Sequence, residues 1–233
     1  MQLIKQKVEI LYCDSSLLKL IEKAGRVCYK SEAKITSDSY KSFIQGIIKK
    51  GHESVIEHSL FTVKFTCDRG ISHELVRHRL ASFSQVSTRY VDYSKRGIEF
   101  IVPYWYPNLY NNTSKVNDCL KIGWEPGNIQ KSCNLTQEEK EFLEYLINVE
   151  KLYNKLRGVY NQKPEQARAV LPNCLATELV MSANFREWRH VLRLRSSSKA
   201  HPQIRELMID LYNNLRLTYP EIFDIIFADV LRK

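Results

Sequence analysis

Phe61-Thr62-Val63-Lys64-Phe65-Thr66-Cys67-Asp68 is the segment that decides the fold. Apolar side chains at 61, 63, 65 and 67 alternate with polar ones at 62, 64 and 66, a period of two that lays one face of an extended strand on a core. Asp68 then stands where a carboxylate can accept from the free N–H groups of a new helix, and Ile71, Leu75 and Val76 follow at helical spacing. The strand hands the chain to a short helix, and the helix delivers it to Arg77.

Working outward, Val8-Glu9-Ile10-Leu11-Tyr12 predicts a first strand, and Ser15 or Ser16 predicts the cap of a helix with Leu17, Leu20, Ile21 and Ala24 on one face. A second helix follows Ser37, carries Phe43, Ile44, Ile47 and Ile48, and stops at Gly51. A further strand is expected at Ile98-Glu99-Phe100-Ile101-Val102. Residues 104–135, broken by Pro107, Asn111, Asn112, Gly123, Pro126 and Gly127, read as a loop or irregular excursion. Thr136-Gln137-Glu138-Glu139 is a capping box that opens a long helix striped by Phe142, Leu146, Val149, Tyr153, Leu156 and Tyr160. Further helices are expected near Pro164, near Ala183, and from Pro202 with Ile204, Leu207, Met208, Leu211 and Leu215 inward. Strands gathered in the first half and helices dominating the second predict an α+β fold with an antiparallel-rich sheet, arranged as a single domain over 1–233.

Composition narrows the function classes. A chain of 233 residues, 44% hydrophobic and 26% charged, has enough apolar material for a full core. The start carries Lys5 and Lys7 without an apolar run of signal-peptide length, and no stretch approaches the roughly 18 residues of a membrane helix, so a cytoplasmic protein without a membrane partner is expected. Cys13, Cys28, Cys67, Cys119, Cys133 and Cys174 form no C-x-x-C pair, which predicts reduced thiols and no structural zinc. The net charge of +9 implies attraction to anions: nucleic acid, a membrane surface or small phosphorylated ligands. The absence of a long Lys/Arg tract weighs against a nucleic-acid arm.

Chemistry concentrates in Arg77-His78-Arg79-Leu80-Ala81-Ser82-Phe83-Ser84-Gln85-Val86-Ser87-Thr88-Arg89-Tyr90. Guanidiniums bind phosphate or carboxylate bidentately, and hydroxyls and loop N–H groups fill the remaining acceptor directions. A solvated basic turn would carry the same charges. Arg77 and Arg79 would diverge by about 160° on a helix yet share a side in extended chain, so the helix should end at this tripeptide. His73-Glu74-Leu75-Val76-Arg77-His78 resembles a zinc-protease helix only superficially, since histidines five apart lie about 140° apart around the axis. No metal is expected. No glycine-rich dinucleotide or phosphate loop is present, so any flavin must be held another way.

The order Arg77-His78-Arg79, seven residues, Ser87-Thr88-Arg89 resembles the signature of the flavin-dependent thymidylate synthases, the ThyX family. Gly51-His52-Glu53-Ser54 with Glu57-His58, Ala167-Arg168 with Leu171-Pro172, Asn184-Phe185-Arg186, and Leu192-Arg193-Leu194-Arg195 extend the resemblance over roughly 8–103 and 137–230. The resemblance implies reductive methylation of deoxyuridine monophosphate (dUMP) to thymidylate. Methylenetetrahydrofolate would supply the carbon, and FAD, reduced by NADPH or NADH, the hydride.

It also implies roles. Arg195 would polarise the uracil ring as the catalytic residue. His52, Ser54, Arg77, His78, Arg79, Gln85, Asn184, Phe185, Arg186 and His190 would hold cofactor. Glu74, Arg77, Gln85, Val86, Ser87, Thr88, Arg89, Arg168 and Arg195 would hold dUMP. The family implies a homotetramer with flavin sites shared between subunits. Ser54-x-x-Glu57 is locally a capping box as well. Ser84 and Gln85 stand where the family has asparagine and glutamate, and Lys199-Ala200-His201-Pro202-Gln203 replaces its usual His-Ala-Gln-Pro-Glu. Two other classes stay open: a basic nucleic-acid-binding module without catalysis, which would show steeply salt-dependent binding and no chromophore, and a metal-dependent hydrolase, which would retain an ion on purification.

Overall fold

The computed structural model describes residues 1–224. In chain order the strands are β1 (Gln2–Ile4), β2 (Lys7–Tyr12), β3 (Phe61–Asp68), β4 (Ala81–Gln85), β5 (Glu99–Ile101) and β6 (Ala176–Ala183). The helices are α1 (Ser16–Val27), α2 (Ser39–Lys49), α3 (Arg69–Leu75), α4 (Tyr93–Arg96), α5 (Pro107–Asn111), α6 (Thr113–Lys121), α7 (Pro126–Cys133), α8 (Gln137–Gly158), α9 (Pro164–Ala167), α10 (Phe185–Arg195), α11 (Pro202–Thr218) and α12 (Pro220–Phe223). The α+β class expected from the sequence is what forms, with an antiparallel sheet in the strand order β2-β3-β6-β4. Among the described residues no helix is long and apolar enough to cross a membrane.

The chain divides into two compact units. One comprises Met1–Lys7, Phe65–Leu75 and Gln85–Leu179. In it β1 and β5 pair in parallel, with Leu3 opposite Phe100, and both of these side chains are fully buried. They join a core built from α5 to α8, where Leu109, Val116, Ile129, Leu143, Leu146 and Tyr153 are inaccessible to solvent. Each such side chain contributes about 1.5–3 kcal/mol of apolar burial.

Here the expected loop at 104–135 is corrected: it contains three helices. Pro107 and Pro126 occupy first helical turns, Gly123 (φ +77°) follows α6, and Asn134 ends α7 in the left-handed conformation. The residues that read as breakers are therefore helix punctuation. The capping box at α8 is present, and its Glu139 does more than cap. This buried carboxylate also accepts from the N–H groups of Asn108 (2.7 Å) and Leu109 (3.2 Å), fastening α5 to the start of α8. The stripe of α8 is largely the expected one: Leu146, Val149 and Tyr153 are buried and Phe142 and Leu156 pack against the core partly buried, Leu143 joins them, and Tyr160 lies beyond the helix end and is exposed.

The other unit comprises Val8–Lys64, Val76–Ser84 and Val180–Lys233. The indole N–H of Trp188 donates to the carbonyl of Phe61 (3.0 Å) and the two rings meet edge to face, seating α10 on β3. On α11 the five residues Ile204, Leu207, Met208, Leu211 and Leu215 are buried as expected. At α1 the N-cap position is Ser15, one of the two serines expected, but its side chain makes no capping bond; the Asp14 carboxylate accepts from the Ser16 N–H (2.8 Å) and hydroxyl instead. The proposed cap at Ser54 is absent as well, since Glu53–Glu57 is a 3₁₀ turn without a side-chain cap.

Strand β6 was not anticipated, because strands were expected only in the first half. In the fold Leu179, Met181 and Ala183 are buried while Glu178, Val180 and Ser182 are not, a period of two that the sequence masks because Leu179, Val180 and Met181 are all apolar.

Candidate active site

α3 begins as the sequence predicts, with Asp68 Oδ1 accepting from the Ile71 N–H at 2.7 Å. It ends at Leu75, so Arg77, His78 and Arg79 lie beyond the helix in non-helical chain. The consequence is the alternation anticipated: His78 turns inward and is 4% exposed, while Arg77 and Arg79 are exposed on either side of it.

What meets His78 is α10. Asn184 caps this helix, accepting from the Glu187 N–H at 2.9 Å, and one apolar face of the helix is buried through Trp188, Val191 and Leu192. Its other side aims polar groups at the imidazole. Arg195 Nε–H donates to His78 Nε2 at 3.0 Å, Glu187 Oε1 lies 3.4 Å from His78 Nδ1, and the His190 ring centre is 5.7 Å away. Burial, reinforced by the charge of Arg195 and by His190, pulls the His78 pKa down to about 4, so the ring is neutral at physiological pH. Burial pushes the Glu187 carboxyl upward. The side chains of His78, Glu187 and His190 bring ligand atoms within 4.8 Å of one another, a spacing that could hold a metal ion. The guanidinium proton already directed at Nε2 opposes a cation there.

In the same unit a cavity of about 470 Å³ is lined by Gly25, Phe43, His52, Ser54, Val55 and Arg186. Three of the sequence-predicted cofactor residues thus share one hollow. Arg186 also pairs with Glu57, which accounts for Glu57 better than a helix cap does. Buried Arg189 pairs with Glu53, which lines the cavity, at 3.0 Å and donates to the Ile222 carbonyl, so the residue after His52 is anchored to α10. Phe185 is corrected: its ring is fully buried against Tyr219 and Phe223, and it serves the core rather than a ligand.

Of the predicted dUMP residues, Glu74, Gln85, Val86, Ser87, Thr88, Arg89 and Arg168 belong to the first-described unit, and Arg77 and Arg195 to the other. Arg168 lies where α9 tightens into a 3₁₀ turn four residues before Pro172, and its Nη1 donates to the Thr88 hydroxyl at 3.1 Å. Thr88, Arg168, Arg69 and Asn173 line a hollow of about 240 Å³. Exposed Arg89 is held by Glu165 at 3.1 Å, and Ser87 Oγ accepts from the Arg89 N–H. The Gln85 amide donates to Ser72 (2.8 Å) and Thr177 (3.2 Å), and Val86 N–H donates to the Glu178 carbonyl. The Ser72 hydroxyl spends its proton on the Arg69 carbonyl (2.9 Å), which leaves it an acceptor for the Gln85 amide. Glu74 is half-buried on α3.

Sequence reasoning missed Glu187. Its signal was its position three residues before His190 on the same helix, which puts the two on one face.

A family profile described as thymidylate synthase complementing protein matches residues 11–221. The flavin-dependent thymidylate synthase of Corynebacterium glutamicum is 31% identical over 211 residues, spanning 88% of this chain and 77% of that protein. The Mycobacterium avium enzyme of the same name is 33% identical over 207 residues with the same coverage. A crystal structure of ThyX from Helicobacter pylori with FAD and dUMP shares the fold, with a TM-score of 0.71 at 23% identity over 95% of this chain and 98% of that one. With the Arg77-His78-Arg79 and Asn184–Arg195 motifs joined at one buried imidazole, this chain belongs to the flavin-dependent thymidylate synthase family.

Proposed function

We propose that the protein converts dUMP to thymidylate in the cytoplasm, taking the one-carbon unit from methylenetetrahydrofolate and hydride from FAD reduced by NADPH or NADH. The observation that carries this reading is the Arg195–His78 hydrogen bond, which ties the two most specific family motifs to one locus. Exposed Arg77 and Arg79 supply cations for the phosphates of a dinucleotide cofactor, and the His52–Ser54–Arg186 cavity supplies a hollow with apolar walls at Phe43 and Val55. The flavin supplies hydride chemistry when bound, and the protein supplies position and charge. Family membership gives no support to the reading as a non-catalytic nucleic-acid-binding module.

The roles follow from the side chains. His52, Ser54, Arg77, His78, Arg79, Asn184, Arg186 and His190 hold the flavin, Asn184 while capping α10. Arg168, Thr88, Ser87 and Arg89 take the nucleotide phosphate, with Gln85, Val86, Arg77 and Glu74 completing the nucleotide contacts. Arg195 is the catalytic residue: a permanently charged guanidinium beside the pyrimidine imide stabilises its anionic form and makes the ring carbon more nucleophilic. The whole chain acts as one catalytic domain within a homotetramer whose flavin sites draw on several subunits.

The test is a visible spectrum of the purified protein with and without added FAD, followed by tritium release from dUMP labelled at the ring carbon. A yellow protein that releases tritium only with folate and NADPH or NADH is expected. A colourless, inactive protein would overturn the assignment.

A further inference from the structure

His78 stands between two partners that make opposite demands. Arg195 offers a guanidinium N–H, which never gives up its proton in a protein, so Nε2 must present its lone pair. A neutral imidazole with a bare Nε2 carries its proton on Nδ1. That atom faces Glu187 Oε1 across 3.4 Å, and the Glu187 side chain is only 8% exposed. The contact is long for a hydrogen bond and acts as attraction between the N–H dipole and the carboxylate in a poorly solvated setting. Glu187 is itself fixed. It lies in the first turn of α10, where the helix dipole favours a negative charge, and its backbone N–H is held by the Asn184 cap.

We propose that Glu187 is a positioning residue: it locks His78 in the Nδ1–H tautomer, and the bare Nε2 so created orients the Arg195 guanidinium. The inference rests on the catalytic role given to Arg195 above. Three residues from two distant segments then form one line, carboxylate to imidazole to guanidinium. Without an acceptor at Nδ1, the imidazole can exchange to the Nε2–H tautomer, which points a proton at the guanidinium. Two donors then face each other, and Arg195 loses its rest position. The Arg195 charge is unchanged, so substrate binding should suffer less than turnover.

The decisive experiment uses the FAD-loaded protein at neutral pH. Long-range ¹H–¹⁵N spectra of ¹⁵N-histidine-labelled protein, with His78→Asn for assignment, should show His78 protonated at Nδ1 and bare at Nε2. An Nε2–H tautomer in the wild type overturns the proposal, whatever any variant does. Glu187→Gln keeps an acceptor oxygen and should retain the tautomer and kcat within about threefold. Glu187→Leu, of similar size, should mix the tautomers and lower kcat for tritium release on the order of 10-fold, with KM for dUMP within about twofold. That size is borrowed from outer partners that orient metal-bound histidines. Wild-type kcat in Glu187→Leu, or equal loss in Glu187→Gln and Glu187→Leu, refutes the positioning role. A wild type that binds no flavin and releases no tritium refutes the functional reading instead, and the tautomer measurement still judges the His78 geometry.

Discussion

Arg195 and His78, 117 positions apart in sequence, share a hydrogen bond of 3.0 Å in which the guanidinium is the donor. The bond brings the end of α10 to the family's Arg-His-Arg tripeptide and makes the imidazole a fixed acceptor. It also separates two functions that a list of conserved-looking arginines would merge: Arg77 and Arg79 stay exposed, and Arg195 is held in place.

Arg195→Ala should therefore lose thymidylate formation by on the order of 100-fold or more, as when a preorganised electrostatic donor is removed. The flavin spectrum should remain, because the cavity at His52, Ser54 and Arg186 does not include Arg195. Absorbance and tritium release on the same preparation check this. Loss of colour would mean the guanidinium serves the cofactor.

Removing Arg168 should act on the nucleotide alone. Arg168→Ala deletes a charged donor and leaves the Thr88 hydroxyl without its guanidinium partner. A hydrogen bond to a charged group is worth about 1.5–3 kcal/mol. KM for dUMP should rise by roughly 10- to 100-fold while the flavin absorbance stays at its wild-type level. Steady-state kinetics with FAD saturating would show whether it does.

His78 makes stability depend on pH. Its folded pKa near 4 lies below the ordinary value of 6.5, so between these pH values the unfolded chain binds the proton and the native protein does not. The contribution is complete above about pH 6.5 and is lost as pH falls toward 4, on the order of 3 kcal/mol over that window. Glu187, shifted upward, contributes with the opposite sign above the usual glutamate range and partly offsets it. Denaturant melts of His78→Asn and wild type, repeated from pH 4 to 8, should differ in slope across that window.

A second acid-sensitive contact lies at α4. Asp92 accepts from Arg157 Nε (3.1 Å) and Nη2 (2.6 Å) while capping α4 through the Ser94 N–H. The Arg157 hydrogen bond, above all, holds its carboxyl far below the usual range despite some desolvation. Its stabilisation is present above about pH 4, the unfolded value, and disappears as acid protonates the folded carboxylate. Asp92→Ala should cost about 1–3 kcal/mol at neutral pH by leaving Arg157 partly buried without its carboxylate. Chemical denaturation read by circular dichroism measures the loss.

Gly25 borders the cavity proposed for the cofactor, and a methyl there would come within 2.5 Å of Phe43 and 2.9 Å of Val55. Both neighbours line the cavity too. Gly25→Ala should therefore weaken FAD binding by narrowing the hollow, and overpacking of this kind costs about 1–3 kcal/mol. Flavin titration of the variant tests it. Unchanged affinity would place the cofactor elsewhere.

The sequence was most legible where the information is local. β3, the Asp68 cap, the Thr136–Glu139 capping box and the buried face of α11 each depend on residues within a turn or a strand of one another. The segment 104–135 was misread because Pro and Gly punctuate helices as well as loops, and the burial of Leu109, Val116 and Ile129 that favours helix is tertiary. Phe185 sits within a motif yet belongs to the core, because Tyr219 and Phe223 come from far along the chain to cover it.

By itself, then, the sequence determined the fold class and the family, since motif spacing and hydrophobic period are properties of neighbouring positions. Only the tertiary structure decided that His78 is buried and neutral, that Arg195 donates to it, and that Glu187 faces its other nitrogen. Charge state and tautomer depend on what surrounds a ring in three dimensions, and α10 supplies those surroundings from more than a hundred residues away.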